Sequence, residues 1–122
     1  HNYYGFWLDL SSNNILTENH VTHNFYGVCL KSCSNNIIQG NNITNTVWGI
    51  KLAYSSNNNI VGNHITHNFY GVWLQSSSNN SVFENNIARN YKGIHLKHSS
   101  NNFIYHNNFV TMLAPKSLRF IQ

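Results

Sequence analysis

Apolar residues along this chain come in short alternating bursts rather than at the three-to-four spacing of an amphipathic helix, and that pattern predicts β-strands. In the first burst Phe6 and Leu8 share one face while Trp7 takes the other. The same burst returns at Val28 and Leu30, Ile50 and Leu52, Val72 and Leu74, and Ile94 and Leu96. A second centres on Leu16, Ile38, Ile60, Val82 and Ile104, and a third on Val21, Ile43, Ile65, Ile87 and Phe109. The column of Leu8 never varies, whereas that of Trp7 continues as Cys29, Lys51, Trp73 and His95. An unvarying apolar column beside a chemically mixed one marks the inside of the strand.

The bursts recur every 22 residues without insertion or deletion, as the columns of Gly5, Gly27, Gly49, Gly71 and Gly93 show most simply. Asn13-Asn14 returns as Asn35-Asn36, Asn57-Asn58, Asn79-Asn80 and Asn101-Asn102, and Asn19 as Asn41, Asn63, Asn85 and Asn107. Three short strands per unit, separated by Gly and Ser-Asn turns, make one coil of a solenoid. The expected fold is all-β: a right-handed, single-stranded parallel β-helix of five coils, at residues 1–22, 23–44, 45–66, 67–88 and 89–110. The right-handed crossover is the general rule for parallel strands. Coils about 4.8 Å apart would rise roughly 24 Å in all. Asn side chains stacked at that spacing can hydrogen-bond amide to amide. The columns of Asn14 and Asn19 are expected in turns, where Asn tolerates left-handed backbone. The Gly5 column is expected to permit a bend before the first strand. Residues 111–122 leave the pattern; Met112, Leu113, Leu118, Phe120 and Ile121 offer apolar cover, with Pro115 to stop the coil, so this tail is a possible cap.

Composition narrows the function classes. Only 8% of residues are charged while 14% are aromatic, the opposite of a disordered chain. Asn, Ser, Thr, Gly and β-branched residues are poor helix formers. No stretch approaches a membrane span, and no basic-then-apolar leader is present. The chain opens at His1 in mid-pattern, as a segment of a longer protein would. Its net charge of +4 reflects few acids. The cations are dispersed along the sequence, so no nucleic-acid partner is expected.

The pattern N-x-Y-x-G-I-x-L-x-x-S-S-N-N-x-I-x-x-N-x-I is carried in one coil by Asn90, Tyr91, Gly93, Ile94, Leu96, Ser99, Ser100, Asn101, Asn102, Ile104 and Asn107. It resembles the repeats of NosD-like parallel β-helix proteins over residues 1–110. The resemblance implies a right-handed β-helix of the pectate-lyase type and an extracellular, cell-surface or periplasmic location. The family's members include polysaccharide-acting enzymes, secreted surface repeats and an accessory protein of copper-site assembly, and a fold so widely shared names no activity.

Candidate chemistry is sparse. Glycoside hydrolysis normally needs two carboxylates, about 5 Å or about 6.5–9.5 Å apart. The chain has only Asp9, Glu18 and Glu84; the two glutamates share a column three coils apart, roughly 14 Å. The candidate bases Lys31, Lys51, Arg89, Lys92 and Lys97 are scattered and face no acid cluster. The expectation is that this segment is not an enzyme. Histidines occur as His20/His23, His64/His67 and His95/His98, but neighbours on a β-helix are one coil apart, and His1 with His23 is the sole adjacent same-column pair. No metal site and no cofactor is expected. Cys29 and Cys33, four residues apart on one extended coil, are beyond disulfide reach and expected to remain thiols. A Thr22, Thr44, Thr66 stack ends at Ala88, too short a column for ice binding.

Outward aromatics remain. Tyr4, Tyr26, Trp48 and Tyr70 form an unbroken column, with Trp7 and Trp73 projecting beside them. Next to it run Tyr3, Phe25, Val47, Phe69 and Tyr91, expected to be partly buried. A stripe at coil spacing can meet sugar rings, but its rings can equally stack on one another as cross-strand pairs. The expected role is a structural or ligand-presenting segment of a secreted or surface protein, with a glycan as possible partner through Tyr4, Tyr26, Trp48, Tyr70, Trp7 and Trp73. The alternatives are part of a carbohydrate-active enzyme whose catalytic residues lie elsewhere, and a copper-handling accessory protein. A first coil with unpaired strand edges is expected to meet another copy or upstream coils.

Overall fold

The computed structural model describes residues 1–110; the expected capping tail lies outside the described residues. Fifteen strands form three parallel sheets. The first sheet stacks β1 (Asn2–Asp9), β4 (Asn24–Lys31), β7 (Trp48–Ala53), β10 (Tyr70–Gln75) and β13 (Lys92–Lys97). The second stacks β2 (Ile15–Thr17), β5 (Ile37–Gln39), β8 (Asn59–Val61), β11 (Ser81–Phe83) and β14 (Phe103–Tyr105). The third stacks β3 (His20–Thr22), β6 (Asn42–Thr44), β9 (His64–Thr66), β12 (Asn86–Ala88) and β15 (Asn108–Val110). Each strand pairs with its counterpart one coil away, Leu30 with Leu52 and Leu52 with Leu74, so the fold is the parallel β-helix expected. No helix among the described residues is long and apolar enough to cross a membrane.

The inward columns build one core. Leu30, Leu52, Leu74, Ile38, Ile60, Ile43 and Ile65 are fully buried, each such side chain contributing about 1.5–3 kcal/mol. Phe6, Leu8 and Leu16 in the first coil and Ile104 and Phe109 in the last are only partly buried against it.

Polar ladders line the corners. Asn58 shows the arrangement: its backbone N–H donates to Asn80 Oδ1 at 2.8 Å, and its Nδ2 donates to Asn80 Oδ1 at 3.2 Å and to the Cys33 carbonyl at 3.1 Å. Its own Oδ1 accepts from the Asn36 backbone and side chain. Asn41, Asn63 and Asn85 repeat this in the other expected column. The ladders therefore satisfy backbone groups that no strand pairing reaches, besides linking amide to amide.

The structure differs from the sequence reading in three respects. Left-handed backbone falls on the residues before the inward Asn columns, at Asn13 (φ 62°) and Glu18 (φ 56°), rather than on Asn14 and Asn19. Each inward Asn is thus presented by the corner residue that precedes it. Two further ladders appear: Thr46, Asn68 and Asn90, and a hydroxyl column in which Cys33, Ser55 and Ser77 donate backbone N–H groups to the Ser55, Ser77 and Ser99 oxygens. The Gly5 column, finally, does not mark a bend before the strand. Gly49 lies within β7 with no left-handed φ, and a Cβ there would sit 2.4 Å from the Gly71 carbonyl oxygen and 3.1 Å from Ile65 Cγ2. Glycine is required because stacked coils leave no room for a side chain.

Candidate functional site

The first sheet carries the longest strands, and its outer face gathers all six aromatic residues singled out from the sequence. Tyr4 stacks on Tyr26 at 5.1 Å between ring centroids, Tyr26 on Trp48 at 5.9 Å, and Trp48 on Tyr70 at 4.4 Å, with interplanar angles of 11°, 23° and 18°. Parallel strands in register hold equivalent side chains one coil apart, close to ring-stacking distance. Trp73 stands edge-on to Trp48 at 4.7 Å and to Tyr70 at 4.8 Å, and stacks on His95 at 4.1 Å. Trp7 meets Tyr4 edge-on at 4.5 Å and is 43% exposed. Trp7 and Trp73 do not meet, because Cys29 and Lys51 separate them along the column.

This stacking decides what the stripe can offer. Tyr26 and Trp48 each have a ring on both faces, so they turn edges, not faces, to solvent. The indole Nε1–H donors of Trp48 and Trp73 are shielded and have no hydrogen-bond partner, an unusual state for a buried donor.

In the neighbouring column Val47 and Tyr91 are half-buried, as expected, but the other three residues are more exposed. Tyr3 is 58% accessible, and Phe25 and Phe69 are likewise exposed. Tyr3 and Tyr4 both turn outward while Gly5 and Phe6 both face the core, so strict alternation fails at this point of the strand. Tyr3 stacks on Phe25 at 5.1 Å. These two residues, with His1 and His23, line an open groove of about 670 Å³; the two imidazoles meet edge-on at 5.5 Å.

Cys29 occupies the outward column, as expected, yet is only 5% exposed. Burial pushes its thiol up to about 11, with Cys33 adding to the shift and Lys51 and Lys31 opposing it. The Cys33 Sγ–H instead faces the Lys31 and Leu8 carbonyls at 3.2 and 3.4 Å. Both cysteines are free thiols.

The lysines are what the sequence reading missed. All four in the described residues lie on the first sheet, on β4, β7 and β13, and belong to its outward columns: Lys51 beside Cys29 and Trp73, Lys92 beside Tyr70, Lys31 beside Asp9, and Lys97 beside Gln75. Lys51 Nζ stands over Tyr26 at 5.3 Å and Trp48 at 5.0 Å, and Lys92 Nζ over Tyr70 at 5.9 Å. Register within the sheet, invisible to a scan for charge runs, assembles them. His95, between Lys92 and Lys97 on β13, has its proton affinity lowered by burial first and by those two ammonium groups next.

The other candidates stay apart. Glu18 and Glu84 occupy the left-handed corner between the second and third sheets. His20 and His64 alternate with Asn42 and Asn86 along the third sheet, and no three His, Cys, Asp or Glu side chains among the described residues converge in a metal-binding group.

The sequence matches the family described as periplasmic copper-binding protein (NosD) over residues 1–112. Among solved structures, a mutant of the periplasmic alginate epimerase AlgG is similar with a TM-score of 0.81 and 28% identity, over 87% of this chain and 28% of that one. This chain therefore spans under a third of the length of that protein. No curated protein matches the sequence.

Proposed function

The chain belongs to the NosD family, and from that premise we propose that it is a ligand-presenting β-helix segment of a periplasmic protein, binding polysaccharide across the outer face of its first sheet. The observation that carries this reading is the continuous surface of Tyr4, Tyr26, Trp48 and Tyr70, with Trp7 and Trp73 beside it, along four of the five coils. AlgG, with the same coil architecture, acts on alginate. Because the ladder consumes its own ring faces, contact with sugar runs through ring edges, tyrosine hydroxyls and exposed Trp7 rather than through ring-on-ring stacking.

We assign the segment no chemistry of its own. Asp9 stands on the first sheet and the two glutamates at the corner between the other two sheets, three coils apart, which supports a segment without the paired carboxylates of glycoside hydrolysis. The copper in the family's description fits the described residues poorly: His1 and His23 supply two ligands and no third group joins them.

The test is calorimetric titration with polysaccharides. Trp7→Ala, which removes the exposed ring, should weaken binding about tenfold, with the β-sheet circular dichroism retained. Binding of no polysaccharide, neutral or acidic, would leave a purely structural role.

A further inference from the structure

We propose that the polysaccharide this face takes is an acidic one, a chain carrying a carboxylate on many of its sugars, held by Lys31, Lys51, Lys92 and Lys97. The proposal rests on the reading that the first sheet binds polysaccharide, and adds the chemical class.

Three observations carry it. The first is charge placement: four lysines share one outer face with a single carboxylate, Asp9, which pairs in register with Lys31. Glu18 and Glu84 lie at the corner between the other two sheets. Among the described residues the outer face of the first sheet thus carries every lysine, with Arg89 at the corner that leads into β13, an arrangement that draws in a polyanion. The second is that the cations are available. The strand neighbours of Lys51 are Cys29 and Trp73, those of Lys97 and Lys92 are Gln75 and Tyr70, and none is acidic. Lys51 and Lys92 rest their ammonium groups over aromatic rings, which orders each head group without neutralising it.

The third is geometry. The lysines fall into two groups along the axis, Lys31 and Lys51 on adjacent coils, then Lys92 and Lys97 together on the last. With coils about 4.8 Å apart, Lys51 and the last coil are separated by roughly 10 Å. An extended pyranose chain advances by about one coil spacing per sugar, so a uronate chain running along the axis meets cations at intervals of one and then two sugars. Single-stranded nucleic acid, the other polymer that seeks basic aromatic surfaces, needs open ring faces for its bases, and here the Tyr26 and Trp48 faces are already covered.

The experiment titrates the full chain with polygalacturonate, dextran and an oligothymidylate in parallel. Polygalacturonate should bind best, and its affinity should fall severalfold as salt rises from about 0.05 to about 0.5 M. Lys51→Gln should weaken it about two- to five-fold, the range of an exposed ion pair, while Lys51→Arg retains it. Replacing all four lysines by Gln should abolish it, with the melting transition still present. A Glu18→Gln, Glu84→Gln variant should bind as the parent does. Dextran bound as tightly as polygalacturonate, without salt dependence, would overturn the acidic class and leave polysaccharide binding standing. Oligothymidylate bound equally well would reduce the site to a general polyanion surface and overturn the proposal. If neither polysaccharide binds, the underlying reading fails as well.

Discussion

Leu52 lies between Leu30 and Leu74 with 0% of its surface exposed. A carboxylate placed there would be surrounded by aliphatic groups with no partner in reach, so Leu52→Asp should destabilise the protein by about 3–5 kcal/mol. Chemical denaturation measures it, and a parental midpoint would mean that the inner and outer faces are misassigned. Tyr54 poses the reverse case. It holds a left-handed φ of 51° while its side chain is 61% exposed, so the backbone is strained for little packing return. The same corner in the other coils is Leu10, Ser32, Ser76 and His98, and the left-handed Asn and Gly residues stand at the other corners. Tyr54→Asn should therefore stabilise by about 1 kcal/mol, seen as a raised melting temperature; a lowered one would mean that the tyrosine ring makes contacts worth more than the strain.

The unit that repeats is held by its corner ladders as much as by its strands. In the middle coil, removing the Asn58 amide strands the Asn36 backbone N–H in a buried corner and takes one of several partners from Asn36 Nδ2 and from the Cys33 carbonyl. Each buried group left unpaired costs about 1–3 kcal/mol. Asn58→Ala should cost more than the exposed neighbour change Asn59→Ala, in the same denaturation assay. Equal effects would show that water replaces the amide and that the ladder is not what holds the corner. The same crowding explains the glycine column: a side chain at Gly49 would press on the next coil's carbonyl, an obstruction that no rotamer relieves.

Across the whole molecule each coil contacts its neighbours above and below, so stability is the sum of coil and interface contributions. Among the described residues β1, β2 and β3 pair with the second coil alone, and Phe6, Leu8 and Leu16 are only partly buried. Hydrogen exchange should therefore be slowest in β7, β8 and β9 and faster in β1, β2 and β3. Uniform protection from β1 to β9 would show that the coils open all together rather than from an end.

The period of 22 residues, the three strands and their inner faces follow from the chain alone, because a stack of identical coils forces one residue type into every level of a column. Leu8, Ile38 and Ile43 and their equivalents announce the core for that reason, and the Asn14 and Asn19 columns announce their ladders. Alternation carries no information where it fails. Between residues 3 and 6 two positions turn out and two turn in, so the exposure of Tyr3 and the crowding at Gly5 emerge only from the folded strand. The division of work between Asn13, which bends the chain, and Asn14, which bonds across coils, likewise depends on corner dihedrals that two adjacent asparagines do not reveal. Cys29 is shielded by side chains from other coils, and the lysines meet because residues as far apart as Lys31 and Lys97 project from one sheet. Columns are written into the sequence one at a time; which columns lie side by side, and what one covers of the next, is decided by the coiling of the chain.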